Sequence, residues 1–300
     1  MSVIAFVGFG ELASALALEL AGSGHHELRA LLRRDPTGSA TERRLRAAGV
    51  APFRSPAPAL SGATAVLAAV PPDAAAEVLD ACAPWLAPAA LYVDLTSSAP
   101  EAKRAAARIA GDAGARYVDA AVLGTVLTSG AQVPILASGP GADAFAALLG
   151  HDGLQIAVLD GPPGAAATVK LLRSLYLKGR DALIVETLLA ARRHGVERLV
   201  AASLETPGDQ RPFGEIAERV LCSLALHARR RAEELREAGE LAAECGVDPA
   251  LARAGASTLE AIAALDLRER FGGERPAEGA AVLAAIDERL RLASIAAAVP

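Results

Sequence analysis

The chain of 300 residues exceeds one average domain, so two domains are the first expectation. With 52% hydrophobic and 22% charged residues it has the composition of a folded globular protein, and its formal net charge of −5 gives no general attraction to nucleic acid or anionic membranes. The apolar run Val3–Phe9 is too short to span a membrane and lacks a basic leader, and Cys82, Cys222 and Cys245 have no metal-ligand spacing. We therefore expect a cytoplasmic protein without a metal site and without a nucleic-acid or membrane partner.

The first half of the chain alternates strand-length apolar runs with helical patterns. Several of the runs are apolar without alternation, as in strands that are buried on both faces of a parallel sheet. This order predicts the α/β class, with a Rossmann-type doubly wound parallel sheet. The expected strands are Val3–Val7, Leu28–Leu32, Ala63–Val70, Leu91–Leu95, Tyr117–Val122, Val133–Ala137 and Ile156–Leu159, and the helices between them include Leu12–Ala21, Ala74–Cys82 and Ala99–Ala113.

Strand signals end near Gly164, and an all-α C-terminal domain is predicted beyond that point. Thr168–Arg193 is expected to form one long helix, apolar on most faces, as in a helix threaded between packed partners. The predicted domains are residues 1–162, with the Rossmann fold, and residues 163–300, which begin with this interdomain helix. The later helices are expected at Phe213–Cys245, Pro249–Asp266 and Ala277–Ala298.

The segment Gly8–Ala13 has the form G-x-G-x-x-A between the first strand and the first helix. Gly8 allows the tight turn, Gly10 lets the backbone approach a pyrophosphate, and the helix N-terminus supplies amide donors. An incidental glycine turn is the alternative, which the strand–turn–helix context makes the weaker one. The residues predicted to bind a dinucleotide here are Gly8, Phe9, Gly10, Glu11 and Leu12.

The residues after the second strand indicate which dinucleotide binds. NAD enzymes place an acidic residue there for the ribose hydroxyls, whereas an arginine suits the 2′-phosphate of NADP. Here Leu28–Leu32 runs directly into Arg33 and Arg34, and Asp35 comes slightly late. We therefore predict that Arg33 and Arg34 bind NADP(H); two solvated surface arginines are the alternative.

These motifs, and those that follow, resemble the β-hydroxyacid dehydrogenase superfamily, which includes 6-phosphogluconate dehydrogenase-like proteins and the imine reductases. Ala68–Pro72 is similar to the proline-containing loop of that family beside the cofactor. Asp94–Pro100 is similar to its D-x-S-T-x-x-P loop beside the nicotinamide, with the two hydroxyl residues exchanged in type. The resemblance implies that Val70, Pro71, Thr96 and Ser97 bind the cofactor and that Ser97 also contacts the substrate.

The catalytic segment of the family has the form G-x-x-G-x-G-x-x-x-K-x-x-x-N. Gly161–Ser174 keeps this spacing, with Ala166 in place of a glycine and Ser174 in place of the asparagine. The resemblance implies that Lys170 and Ser174 are catalytic and that Lys178, one helical turn further on, contacts the substrate. A lysine that reaches the surface, or pairs with a buried carboxylate, is the structural alternative for Lys170.

The chain departs from the family at the loop that reads D-A-P-V-S-G-G. Here Asp119–Thr125 places Leu123 where a hydroxyl would bind a carboxylate, and Thr125 in place of a glycine. The loop residues Leu123, Gly124 and Thr125 are predicted to line the substrate site, and the changes argue against an ordinary small β-hydroxy acid. Lys178–Glu186 and His227–Glu234 resemble the helical domain of a less characterised, phosphogluconate-dehydrogenase-like branch.

Three functions remain open at this point. The leading hypothesis is an NADP(H)-dependent oxidoreductase that moves hydride between the nicotinamide and a small polar hydroxy or keto substrate, with decarboxylation left open. Burial would lower the pKa of Lys170 so that it can act as acid or base, and Ser174 would orient the substrate. An imine reductase is the second hypothesis, and a non-catalytic NADP-binding module is the third. The resemblance also implies a homodimer with intertwined C-terminal domains.

Overall fold

The computed structural model describes residues 1–204 and 212–298. The chain divides into two compact units, Met1–Leu175 and Tyr176–Pro300. The first helix after the predicted boundary at residues 162 and 163 begins at Ala165 and continues to Arg193, so it extends from the first unit into the second. The division into domains of residues 1–162 and 163–300 stays a prediction.

The first unit is built on an eight-stranded sheet with the strand order β3-β2-β1-β4-β5-β6-β7-β8. All neighbouring strands are parallel except β6 and β7. The predicted Rossmann-type doubly wound sheet is thereby confirmed. The strands are β1 Ser2–Val7, β2 His26–Leu31, β3 Ala51–Phe53, β4 Ala65–Ala68, β5 Leu91–Asp94, β6 Arg116–Val122, β7 Ile135–Ser138 and β8 Ile156–Val158.

Two features of the sheet differ from the sequence prediction. The edge strand β3 was not predicted, because it has only three residues and contains Pro52. Strand β7 runs antiparallel to β6, with Val122 opposite Ile135. The connection between these two strands joins them at the same end of the sheet, so the chain simply turns back. A parallel strand would have required a crossover connection.

Helices cover both faces of the sheet because consecutive strand residues point in opposite directions. On β1, Ile4 and Phe6 belong to one buried apolar cluster, while Ala5 and Val7 belong to the other. The helices of the first unit, including the start of the long helix, are α1 Glu11–Ser23, α2 Ala40–Ala47, α3 Pro56–Leu60, α4 Ala75–Cys82, α5 Pro100–Asp112, α6 Val126–Ser129, α7 Ala142–Leu149 and α8 Ala165–Arg193.

The second unit is helical in its described part, as predicted. Two of its helix starts are held by side chains from distant parts of the sequence. Both carboxylate oxygens of Glu186 accept backbone amides at the start of the helix Ala250–Ala263, and Glu218 accepts the amide of Gly279 at 2.7 Å. The predicted helix Pro249–Asp266 ends earlier, and a short helix follows it. Besides the end of α8, the helices are α9 Glu197–Leu204, α10 Phe213–Glu244, α11 Ala250–Ala263, α12 Leu267–Arg270 and α13 Gly279–Ala298.

Helix α8 leaves many large apolar side chains open to solvent within one chain. Leu172 is 63% exposed and Leu175 73%, and Val185 is 66% exposed further along the helix. Although the described helices include several long ones, none is both long and apolar enough to cross a membrane.

Candidate functional site

Five loops that carry predicted site residues meet at one edge of the sheet. They follow β1, β2, β4, β5 and β6, which are parallel, so their carboxyl ends point the same way. The strand order reverses between β1 and β4, and open α/β sheets bind ligands in the crevice at such a point. The fold therefore brings the predicted cofactor loops together.

Gly8 makes the turn out of β1 with a backbone that disfavours other residues. Its φ is +80°, and a Cβ atom added to it would lie 2.7 Å from the carbonyl oxygen of Ala69 and 2.9 Å from Cγ1 of Val70. The amide of Gly8 also donates to the carbonyl of Leu31 at 3.1 Å. The glycine loop is therefore packed directly against the Val70 loop that follows β4, and Pro71 is exposed beside it.

Gly10 sits at the N-cap of α1 and has open space around it. No atom lies within 4 Å of a Cβ added there, and no side chain caps the helix. The first-turn amides, including those of Glu11 and Leu12, have no intrahelical partner and add to the positive end of the helix dipole. An anion fits this N-terminus. The side chain of Phe9 is only 5% exposed and packs edge-on against Phe6, so Phe9 can offer a ligand only its backbone.

A group of exposed arginines lies after β2 and β3. In the part of the chain that the structure describes, the side chains of Arg33 and Arg34 have no hydrogen-bond or ion-pair partner. Arg54, directly after β3, donates to the carbonyl of Arg33 at 3.1 Å and so joins the group. The carboxylate of Asp35 is turned away into its own turn, where it accepts the amide of Thr37 at 2.9 Å and its hydroxyl at 2.6 Å.

The loop after β5 divides its hydroxyl groups between the interior and the surface. Thr96 is 4% exposed, and its hydroxyl pairs with that of Ser98 at 2.8 Å, while its amide donates to Asp94. Ser97 is exposed and accepts a hydrogen bond from Nζ of Lys170 at 2.7 Å. Of the two predicted residues, Ser97 is the one whose side chain can reach a ligand.

The first turn of α8 is held by buried acceptors. Asp119 Oδ2 accepts the amides of Gly164 and Ala167, both at 3.0 Å. Ser138 accepts the amide of Ala166 at 3.1 Å, and the amide of Ala165 donates to the carbonyl of Pro162 at the same distance. This arrangement fixes the start of the helix that carries Lys170.

Lys170 is the predicted site residue with the clearest electrostatic perturbation. Burial lowers the pKa of its amine, and the nearby Lys103 ammonium lowers it further, whereas Asp119 and Asp94 act in the opposite direction. A lysine with a lowered pKa exchanges protons more readily near neutral pH. Ser174, one turn further on, is half-buried, and the side chain of Lys178 lies outside what the structure describes.

The loop after β6 places the three predicted substrate residues at the same edge. The amide of Leu123 donates to the carbonyl of Pro134 at 2.8 Å, so the loop starts as an extension of the β6–β7 pair. Leu123 is half-buried, and Gly124 and Thr125 are exposed. A contact between these residues and a substrate stays a prediction.

Comparison with known proteins identifies the family. Residues 3–149 match the NAD binding domain of 6-phosphogluconate dehydrogenase, and residues 191–262 match a domain of unknown function, DUF1932. The chain is 34% identical to a conserved protein of unknown function described as similar in structure to 3-hydroxyacid dehydrogenases, covering 87% of this chain and 98% of that one with a TM-score of 0.59. This chain belongs to the 6-phosphogluconate dehydrogenase-like family.

Two further solved structures resemble this chain. A conserved hypothetical protein from Sinorhizobium meliloti 1021 is 30% identical, covering 96% of this chain and 97% of its own, with a TM-score of 0.61. An imine reductase from Myxococcus stipitatus, solved with NADP+, is 19% identical and covers 87% and 94% of the two chains with a TM-score of 0.71, which shows a shared fold. The predicted resemblance is confirmed, and these findings support a nicotinamide-dependent oxidoreductase.

Several residues of this family member's site were not predicted from the sequence. Lys103, Asp94 and Asp119 form a buried ionic group, and Arg54 joins Arg33 only because β3 lies beside β2. Lys103 lies on the buried face of α5, seven residues before Ala110, but in the sequence it stands among alanines and charged residues, so no local signal marks it as buried. Nothing in the sequence alone indicated β3, and therefore nothing indicated Arg54.

Proposed function

We propose that the protein is an NADP(H)-dependent oxidoreductase that transfers hydride between the nicotinamide and a small polar hydroxy or keto substrate. The observation that carries this proposal is the Lys170 amine, partly buried with a lowered pKa, bonded to exposed Ser97 at the carboxyl edge of the sheet. Lys170 is therefore a proton donor or acceptor beside the loop that the family places at the nicotinamide.

The residues present fit a dinucleotide. The open space at Gly10, the uncapped first turn of α1 and the packed turn at Gly8 form a cradle that a pyrophosphate would fill. Arg33 and Arg34, exposed and without partners among the described residues, support the phosphorylated form of the cofactor. When bound, the nicotinamide supplies or accepts the hydride, which is chemistry that no side chain provides.

The chain's own task is then to move one proton and to orient the substrate. During oxidation of a hydroxyl group, the uncharged Lys170 amine accepts the hydroxyl proton as hydride leaves carbon. During reduction, the Lys170 ammonium returns a proton to the oxygen. The bond to Ser97 holds Nζ of Lys170 beside the exposed loop after β5, and Ser174 is one turn away to orient the substrate.

The test is Lys170→Met, with Arg173→Met as the matched loss of one charge from an exposed position on the same helix. Substrates are first found by screening carbonyl compounds and cyclic imines for NADPH consumption. We expect Lys170→Met to reduce turnover by roughly 10²–10⁴ and to leave NADPH affinity nearly unchanged. In the unmodified protein, turnover in the oxidative direction should rise with pH through an inflection below the ordinary range of lysine, and this inflection should be absent in the variant.

Two outcomes would count against the assignment of Lys170. Unchanged turnover in Lys170→Met would move the proton transfer to another group. Loss of NADPH binding together with turnover would make Lys170 a structural residue. An imine substrate accepted in preference to all carbonyl compounds would favour the second hypothesis, an imine reductase.

We further propose that the protein is a homodimer that acts on a small molecule in the cytoplasm. The exposed leucines of α8, including Leu172 and Leu175, support this, because an apolar helix face of this kind is stabilised when another surface covers it. The resemblance implies that the C-terminal domains intertwine.

A further inference from the structure

A second lysine is buried near Lys170. It takes no part in the proposed proton transfer, but its charge lowers the pKa of Lys170. Lys103 on α5 is 1% exposed. Its Nζ donates to the carbonyl oxygen of Asp94 at 2.8 Å, lies 2.9 Å from Asp94 Oδ1, and faces Asp119 Oδ1 at 3.6 Å. Lysines are almost never fully buried unless they are paired, so the placement of this one needs a reason.

The first carboxylate of the group fixes the loop that carries Ser97. Asp94 ends β5, and its Oδ1 accepts the amide of Thr96 at 2.9 Å. Its Oδ2 accepts the hydroxyl of Tyr117 at 2.7 Å, and burial raises the pKa of that hydroxyl, so it remains a donor. Asp94 thus accepts one hydrogen bond from Tyr117 in the interior and another from Thr96 at the start of the Ser97 loop.

The second carboxylate fixes the helix that carries Lys170. Asp119 Oδ2 binds the amides of Gly164 and Ala167 at the first turn of α8. Its Oδ1 receives no hydrogen bond from any described residue, and only the charge of Lys103 faces it. Lys103 therefore joins the two segments whose side chains, Ser97 and Lys170, meet at 2.7 Å.

The charges that act on Lys170 come from three elements and have opposing effects. Asp94 at the end of β5 and Asp119 on β6 favour a charged Lys170 amine, while Lys103 on α5 disfavours it. After burial, Lys103 is the largest influence that lowers the pKa of Lys170. Without the Lys103 charge, two carboxylates would act on the Lys170 amine unopposed.

We propose that Lys103 is a positioning residue. Its ammonium group ties the Ser97 loop to the first turn of α8, and its positive charge disfavours a positive charge on the Lys170 amine. This inference rests on the proposed role of Lys170. Its test requires neither a substrate nor turnover.

The experiment is competitive amine acetylation of the full chain across a pH series, read at Lys170 by mass spectrometry. The variants are Lys103→Met, Lys103→Arg and, as the matched loss of an exposed charge on α5, Arg108→Met. We expect the Lys170 midpoint to move to higher pH by about one unit or more in Lys103→Met, which is a fall of about tenfold in labelling at a fixed pH below the midpoint. Lys103→Arg and Arg108→Met should leave the midpoint in place.

A Lys170 midpoint that does not move in folded Lys103→Met overturns the inference, as does an equal shift in Lys103→Arg. Because Lys103→Met leaves two buried carboxylates unpaired, Lys103→Gln is made as well, which is neutral but keeps two donors. If circular dichroism shows that neither Lys103→Met nor Lys103→Gln folds, the role of Lys103 is purely structural, and this result would also overturn the inference. If Lys170 of the unmodified protein titrates as an ordinary exposed lysine, it is the proposed function that fails.

Discussion

Gly8 and Gly10 lie two residues apart in the same loop, and the structure predicts opposite consequences for the same substitution. In Gly8→Ala the new methyl group would enter left-handed backbone with φ +80° and would lie 2.7 Å from the carbonyl oxygen of Ala69. In Gly10→Ala the backbone is at φ −87°, which alanine accepts, and nothing lies within 4 Å of the new Cβ. We therefore expect Gly8 to be needed for folding and Gly10 for binding of the dinucleotide.

The magnitudes follow from these contacts. For Gly8→Ala, left-handed backbone costs about 1–2 kcal/mol and the forced shift of Ala69 and Val70 about 1–3 kcal/mol, which together lower the free energy of unfolding by roughly 2–5 kcal/mol. At roughly 2–4 °C per kcal/mol, the melting temperature falls by roughly 4–20 °C. For Gly10→Ala, the gain of about 0.4–1 kcal/mol from a less flexible unfolded chain is offset by the weaker N-cap, so the net change stays within about 1 kcal/mol.

For NADPH affinity the order of the two variants should be reversed: among variants that fold, Gly10→Ala should lose more affinity than Gly8→Ala. The methyl group of Gly10→Ala would occupy the space of the pyrophosphate, and loss of one charge-assisted hydrogen bond, about 1.5–3 kcal/mol, corresponds to a fall in NADPH affinity of roughly 10–150-fold. The assays are thermal unfolding without cofactor and titration of NADPH fluorescence. Gly22→Ala, at an uncrowded glycine on the same helix, is the control and should not weaken binding. Unchanged NADPH affinity in Gly10→Ala would refute the placement of the dinucleotide at α1.

Two further predictions concern the cofactor and the assembly. NADPH should bind more tightly than NADH by a few kcal/mol, since each charge-assisted bond to a phosphate is worth about 1.5–3 kcal/mol, and Arg33→Ala, Arg34→Ala and Arg54→Ala should each reduce the difference between the two dissociation constants. Arg43→Ala, an exposed arginine on α2, is the control, and equal affinities in the unmodified protein would contradict the NADP(H) assignment. Light scattering at micromolar concentration should give about twice the chain mass of 30.5 kDa, and a clean monomer would leave the apolar face of α8 unexplained.

The sequence predicted the loops of the site better than it predicted what supports them. Gly8–Ala13 could be placed from its strand–turn–helix context, and Asp94–Pro100 from its resemblance to a loop of the family, because each is a continuous motif. The antiparallel direction of β7 and the edge strand β3 depend on how strands pair in the assembled sheet, which periodicity does not report. Arg54 was missed for this reason, because its place beside Arg33 exists only once β3 has paired with β2.

Lys103 was missed for a different physical reason. In the run Glu101–Ala107 a lysine among alanines is typical of a solvated helix face, and burial of its charge is possible only because Asp94 and Asp119 converge on it from two neighbouring strands. That convergence is a property of the sheet register, in which Asp94 lies directly beside Asp119. A residue of this kind becomes visible only when the partners' positions are known.

The backbone amides at the start of α8 already have protein acceptors, which affects how a substrate can bind there. Unlike the open N-terminus of α1, every amide from Gly164 to Ala167 already donates to a protein acceptor, and Asp119 neutralises the positive end of the helix dipole. A carboxylate brought to this end of α8 would find no free backbone amide there, and Leu123 offers it no hydroxyl group. We therefore expect the polar group of a substrate to be bound by side chains such as those of Lys170 and Ser97, and not by the start of α8.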